Sequence, residues 1–208
     1  IKVADKIKRE GPEKKGRKPV YYQVNPESHY VIGVEFWAHS AHVLVVDFNR
    51  EPIYTNELEL SENKNSEEVC AVLADLIQKA IEVSGIPHER IIGIGVGAPG
   101  RVNVDKGEII NYSRISGFTN FPLGERMEAK FGLDVTVANN AGVIAMNAYR
   151  RGVAKNSNAL MTYLIRYGIG GAFITNGQLF SPLGKSAFEV GHTTVEIDGR
   201  ECYCGAKG

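Results

Sequence analysis

Cysteine is scarce in this chain. Its 208 residues include three (Cys70, Cys202 and Cys204), and an odd, small number fits reduced thiols or metal ligands better than a disulfide framework. Long apolar runs are lacking too. No stretch reaches the roughly 18 residues needed to span a bilayer, and the N-terminal residues lack the apolar core of a secretory signal. Neither membrane insertion nor export is therefore expected, and a cytoplasmic location follows. Net charge is also missing, with 24 basic and 24 acidic side chains, but the two signs are unevenly spread. Residues 1–20 hold eight basic side chains against three acidic ones, which leaves the remainder of the chain acidic. Such an arm can neutralise nucleic-acid phosphates or serve as a solvated tail. The sequence has no internal repeat and no low-complexity segment.

What is present is an apolar share of 43%, ample for a packed core in one large or two small domains. Residues 10–19, EGPEKKGRKP, have turn composition and are flanked by KVADKIK and VYYQV, each short enough for a strand, so a basic hairpin is expected. HYVIGVEFWA (29–38), HVLVVDF (42–48) and PIYTNELEL (52–60) read as strands, and their short connections imply an antiparallel meander. SEEVCAVLADLIQKAIEVSG follows with apolar residues at helical spacing; Asn65 and Glu68 are placed as a capping box, and Gly85 and Pro87 end it. Cys70, beside that apolar stripe, reads as a packing thiol.

RIIGIGVGAPG (90–100) is a nearly continuous apolar strand ending in Gly and Pro, the kind of turn where mixed α/β folds place ligands. Beyond it the pattern predicts a hairpin over 100–114, a helix from Pro122 to Phe131, a strand over 134–139 and a helix over 140–152. A second strand pair follows in ALMTYLIRYGIGGAFITNG. This succession is that of one ribonuclease-H-like domain with a second one opening after it.

Four stretches together resemble the ROK family of bacterial sugar kinases and sugar-sensing repressors: GVGAPGRVNVDKGEI, DVTVANNAG, RYGIGGAFITNG and FEVGHTTVEIDGRECYCGAKG. The resemblance covers about residues 20–208 and implies the α/β, actin-like and hexokinase-like fold, a mixed sheet whose first three strands are antiparallel. It implies three regions. Residues 1–24 would be the wing of a winged helix-turn-helix domain and a linker, 25–138 a first ribonuclease-H-like lobe, and 139–208 the start of a second, truncated lobe.

The same resemblance suggests a zinc site. In the family a histidine and three cysteines bind one structural zinc ion; His192, Cys202 and Cys204 match three of them, and the fourth ligand would fall at position 209. On spacing alone the two cysteines are equally well ordinary thiols near a turn. The sugar site carries over as Glu189 and His192, the Glu-x-Gly-His pair that bonds sugar hydroxyls, with the other histidine nitrogen facing zinc, and as Asn139. Gly100, Arg101 and Ser113 fall where related members touch the sugar, although turn geometry and surface polarity explain them as well.

Kinases of the family carry an Asn-Asp-Ala sequence whose aspartate is the general base. This chain reads Asn139-Asn140-Ala141, and an amide cannot take a proton, although Asn140 can hydrogen-bond a hydroxyl or cap a helix. The first phosphate-binding turn, Asp-x-Gly-Gly-Thr in the kinases, reads Glu35-Phe36-Trp37-Ala38-His39 here. The second, Gly-Thr-Gly-x-Gly-Gly-Gly, reads Arg166-Tyr167-Gly168-Ile169-Gly170-Gly171-Ala172. ATP is thus not an expected cofactor. The family's repressors join wing to sugar domain through Gly-Arg-Lys-Pro and Asn-Pro, matched by residues 16–19 and by Asn25-Pro26. The implied protein is a sugar-responsive repressor that contacts operator DNA through an upstream winged helix. Lys14, Lys15, Arg17 and Lys18 would touch DNA phosphates from the wing, and the protein would assemble as a homodimer or higher oligomer. The alternatives are an ATP-dependent sugar kinase of glucokinase or N-acetylglucosamine kinase type, and a sugar-binding protein that no longer touches DNA.

Overall fold

The computed structural model describes residues 4–7, 20–61, 63–180, 185, 186, 188–202 and 204–208. At the N-terminus β1 (Ala4–Ile7) and β2 (Tyr21–Val24) pair antiparallel, with Ala4 opposite Val24, as the residues flanking the basic turn predict. Lys14, Lys15, Arg17 and Lys18 lie outside the described residues.

Alternation then builds the first sheet. In β3 (Tyr30–Phe36) every second residue is buried, namely Tyr30, Ile32, Val34 and Phe36. The predicted meander continues through β4 (Ser40–Asp47) and β5 (Pro52–Glu59), and the register sets Ile32 against Val45 and Val34 against Val43, making one face apolar. Helix α1 (Ser66–Ser84) covers that face with Val69, Leu73, Leu76, Ile77 and Ala80, all buried at helical spacing. The predicted capping box forms. Asn65 Oδ1 accepts from the N–H groups of Glu67 and Glu68 at 3.0 Å each, while Glu68 Oε2 accepts from the N–H of Asn65 at 2.8 Å. Gly85 closes the helix. Cys70 is buried on this helix, and desolvation pushes its thiol up, so it packs as a neutral group.

β6 (Ile91–Ala98) enters parallel to β3, with Ile94 opposite Ile32 and Val96 opposite Val34. The predicted hairpin is β7 (Arg101–Asn103) with β8 (Glu108–Asn111), and an unanticipated third strand, β9 (Thr119–Phe121), pairs with β8. Helix α2 (Leu123–Phe131) buries Leu123, Met127 and Phe131 in the same core. β10 (Val135–Asn139) lies parallel to β6, giving a mixed sheet of order β10-β6-β3-β4-β5.

Helix α3 (Asn140–Arg151) starts where β10 ends, without a loop, and packs on the second sheet. That sheet comprises β11 (Ala159–Ile165), β12 (Ile169–Thr175) and the short β13 (Gln178–Leu179). It has its own small core of Ala141, Ala145, Ala172 and Ile174, apart from the first, whose last member is Val137. β14 (Lys185–Ser186) pairs with β7. Among the described residues no helix is long and apolar enough to cross a membrane.

Because α1 holds the first core together, Leu73→Ala should cost about 2–5 kcal/mol through the cavity it leaves. Asn65→Ala should cost only about 1 kcal/mol by removing the cap. Urea denaturation of both variants measures the difference.

Candidate functional site

A cavity of about 450 Å³ opens between the C-terminal end of the first sheet, the start of α3, the β11–β12 hairpin and the turn over 188–192. Gly100, Arg101, Ser113, Asn139, Asn140, Glu189 and His192 all line it, so residues scattered over nearly a hundred positions meet in one place. Cys204 reaches its edge.

Each wall has a local cause. β6 stops at Ala98, and Gly100 turns the chain with φ 74°, where a Cβ would run into the carbonyl oxygen of Asn111. Only glycine accepts both the angle and the contact, and the tight turn sets β7 beside the end of β8. Asn139, the last residue of β10, binds that turn by donating from Nδ2 to the Gly100 carbonyl at 2.8 Å, while its Oδ1 accepts from the Gly142 N–H at 3.2 Å. Asn139 is therefore the N-cap of α3, with extended φ and ψ of −64° and 133°. This corrects the expectation that Asn140 caps the helix: Asn140 is already its first residue, is 8% exposed, and its Oδ1 accepts from the N–H of Ala141 at 2.8 Å.

Glu189 precedes and His192 ends a single 3-10 turn, Val190–His192, laid against the beginning of β12. Phe188 bridges to Gly171, and a Cβ on Gly191 would collide with the carbonyl oxygen of Ile169, so the turn fits flush only because residue 191 has no side chain. His192 faces two ways. Its Nε2 lies 3.8 Å from Glu189 Oε2, and its Nδ1 lies 3.6 Å from Cys202 Sγ. The donor atoms of His192, Cys202 and Cys204 all fall within 4.8 Å of one another.

This set suits zinc. Imidazole and thiolate are zinc's preferred donors, and bonds of about 2.0–2.3 Å in a tetrahedron separate nitrogen from sulfur by about 3.6 Å. The cysteine-bearing loop is already shaped, with the Cys202 N–H donating to the Ala206 carbonyl at 2.8 Å and the Gly205 N–H to the Cys202 carbonyl at 2.9 Å. An ion on Nδ1 would leave the proton on Nε2, making His192 a donor toward Glu189 or a ligand oxygen.

The segment after β3 and the β11–β12 turn also meet here. Arg166, at the end of the β11 hairpin arm, donates to both carboxylate oxygens of Glu35, at 2.9 and 3.3 Å. Its guanidinium lies 3.9 Å from the centre of the Trp37 ring. In the sequence the two stand as separate departures from the kinase pattern. Their opposite charges were the available signal, but it becomes meaningful only once the two turns are known to face each other. Arg114, which donates to the Tyr167 carbonyl at 2.9 Å, was also missed.

Residues 31–208 match the profile of the ROK family. The chain is 29% identical over 198 residues to a xylose repressor of Caldicellulosiruptor bescii, covering 95% of this chain and 49% of that protein. It is 31% identical over 137 residues to a glucokinase of Halalkalibacterium halodurans, covering 65% of this chain and 41% of that one. In structure it is similar to a ROK family transcriptional regulator described as a homolog of the Escherichia coli MLC protein, with a TM-score of 0.80, 20% identity, and coverage of 99% of this chain and 52% of that one. It is also similar to a ROK family glucokinase from Streptomyces griseus in complex with glucose and AMPPNP, with a TM-score of 0.76, 26% identity, and coverage of 86% and 55%. The chain spans about half the length of the curated relatives it matches. Repressors and kinases thus flank it on both comparisons, and with the match running from residue 31 to residue 208 the chain belongs to the ROK family.

Proposed function

We propose that this chain is the sugar-binding part of a transcriptional repressor, which holds a neutral sugar between its lobes without phosphorylating it. The observation that carries the reading is Asn140, an amide lining the cavity where a sugar kinase of this family needs a carboxylate. Phosphoryl transfer to a hydroxyl needs a base beside it and a cradle for the nucleotide phosphates. Here Asn140 is no base, and Trp37, Glu35 and Arg166 occupy the turns that would form the cradle. Binding, by contrast, needs only donors and acceptors, and Asn139, Asn140, Glu189 and His192 supply both kinds.

Support for a repressor rather than an orphaned sugar binder comes from similarity to the xylose repressor along 95% of this chain, including residues ahead of the family match. On this reading the β1–β2 pair belongs to a winged helix-turn-helix domain. Lys14, Lys15, Arg17 and Lys18 add phosphate contacts, and a homodimer presents two such domains to paired half-sites of an operator. Zinc held by His192, Cys202 and Cys204 fixes the histidine's ring and tautomer, and supplies no chemistry beyond that.

The second reading, an ATP-dependent sugar kinase, is favoured by the 31% identity to a glucokinase. A coupled assay of the intact protein with ATP and D-glucose, D-xylose or N-acetylglucosamine separates the two. We expect no turnover, and none from Asn140→Asp either, because the base alone does not restore a phosphate cradle; turnover lost in a Glu189→Gln variant would establish the kinase. Calorimetric titration with the same sugars should show binding by the wild type and at least about a tenfold loss in Glu189→Gln, the cost of leaving hydroxyls short of an acceptor.

For the metal, elemental analysis of the intact protein should find one zinc per chain, absent in a Cys202→Ser/Cys204→Ser variant. Stripping it with a chelator should weaken sugar binding. Unchanged affinity after removal would separate His192 from the metal.

A further inference from the structure

The tip of the β11–β12 hairpin, residues 166–168, belongs to the second lobe, yet three segments of the first lobe hold it. From the end of β3, Glu35 receives both Arg166 bonds at 2.9 and 3.3 Å, and Trp37 lies under the guanidinium at 3.9 Å. Trp37 is itself stacked on His42 of β4, with ring centres 4.9 Å apart. From the β3–β4 turn, the His39 ring packs on Tyr167 at 4.1 Å. From the segment after β8, Arg114 donates to the Tyr167 carbonyl at 2.9 Å. The tip is also closed on itself, the Arg166 N–H donating to the Gly168 carbonyl at 2.9 Å.

What the tip holds, in turn, is the turn that carries Glu189 and His192. β12 begins at Ile169, the next residue, and the Ile169 carbonyl lies against Gly191 with no room for a Cβ between them. Two residues on, Gly171 bridges to Phe188, and a Cβ there would sit 2.6 Å from Val190 Cγ2. The 188–192 segment is thus moulded onto the first three residues of β12. Close-packed contacts of this kind transmit displacement and do not absorb it. Any movement of the tip away from the first lobe carries the start of β12 with it, and the Glu189 and His192 side chains move relative to Gly100, Arg101 and Ser113, which line the cavity from the first lobe.

We propose that Arg166 is a positioning residue for the sugar site, a latch between the lobes that sets the spacing of Glu189 and His192 from Gly100, Arg101 and Ser113. The inference rests on the reading of the cavity as a sugar site. Arginine suits the task because a planar guanidinium can form a fork with a carboxylate and stack on an indole at the same time, whereas an ammonium matches neither geometry. An exposed ion pair by itself contributes little. With side chains 28% and 30% exposed and an aromatic ring beneath, this one is half-sheltered and fixed in orientation as well as distance.

The test pairs a measurement that needs no sugar with one that does, on the intact protein. Hydrogen–deuterium exchange without ligand should become faster over 166–171 and 188–192 in Arg166→Ala and in Glu35→Gln, and less so in Arg166→Lys. Calorimetric titration with D-xylose and D-glucose should show the dissociation constant rising about five- to tenfold in Arg166→Ala and Glu35→Gln. The two changes combined should cost no more than either alone, because both break the same pair. Asn65→Ala, which weakens α1 without touching the hairpin, controls for general loss of stability and should leave the sugar constant unchanged. Unaltered exchange over 188–192 in both Glu35→Gln and Arg166→Lys would overturn the latch even if Arg166→Ala fails to fold, as would sugar affinity that falls equally in Asn65→Ala. If the wild type binds neither sugar, the functional reading fails, and the exchange arm alone then decides whether the latch positions the 188–192 turn.

Discussion

Both ends of a single amide, that of Asn139, hold the cavity together. Its nitrogen donates to Gly100 and its oxygen accepts from Gly142, at 2.8 and 3.2 Å. One side chain thereby joins the end of β10, the turn after β6 and the first turn of α3. A carboxylate could cap the helix but has no hydrogen for Gly100, and an apolar residue could do neither. The site lies at the carboxyl ends of the parallel strands β6 and β10, where their last residues, Ala98 and Asn139, pair. Open α/β sheets bind ligands at such ends, because loops there diverge and leave polar groups facing a crevice. The turn after β6 and the start of α3 take their positions from this join.

On the second-lobe side the equivalent role falls to His192. Its ring stands between Glu189 at 3.8 Å and Cys202 at 3.6 Å, so the two nitrogens have different jobs. With a metal on the cysteine side, the proposed zinc acts on a ligand only through the imidazole, by fixing which nitrogen carries the proton and how the ring is turned. On that reading the two thiols beside Glu189 and His192 serve to hold the imidazole. The metal needs no open coordination position to matter to the cavity.

Much of this was legible in the sequence, and the rest was hidden for identifiable reasons. Alternation in β3 and β5 and helical spacing in α1 are long enough to show a period, and the Asn65 capping box has a local signature that folding did not alter. β9, with three residues, and β14, with two, are too short for any period, and they pair only because β7 and β8 are already in place. The helix cap was displaced by one residue because Asn139 and Asn140 have the same capping chemistry. What decides between them is where β10 runs out, which is a property of its pairing with β6. The expected sugar residues were found through resemblance to a family and converge on one cavity. The Glu35–Arg166 pair, 131 residues apart, left no local trace. Each half looked like damage to a phosphate turn, and only the fold makes them partners.

That partnership bears on how a sugar could act as a signal. In a kinase the space between two such turns must admit the nucleotide phosphates. Here the same two turns are joined by protein, so on the proposed reading no nucleotide is needed to set the closed spacing, and the sugar is the small molecule left to bias it. A ligand shifts such an equilibrium only by its difference in affinity for the two arrangements, about 5.5 kcal/mol to carry a 1:99 population to 99:1. Hydrogen bonds contribute about 0.5–1.5 kcal/mol each, so four or more must exist in one arrangement and be lost in the other. Gly100, Arg101 and Ser113 line the cavity from the first lobe, Glu189 and His192 from the second. A sugar spanning them can make that many only when the two sides are at the right distance, and a latch at the rim favours that distance before the sugar arrives.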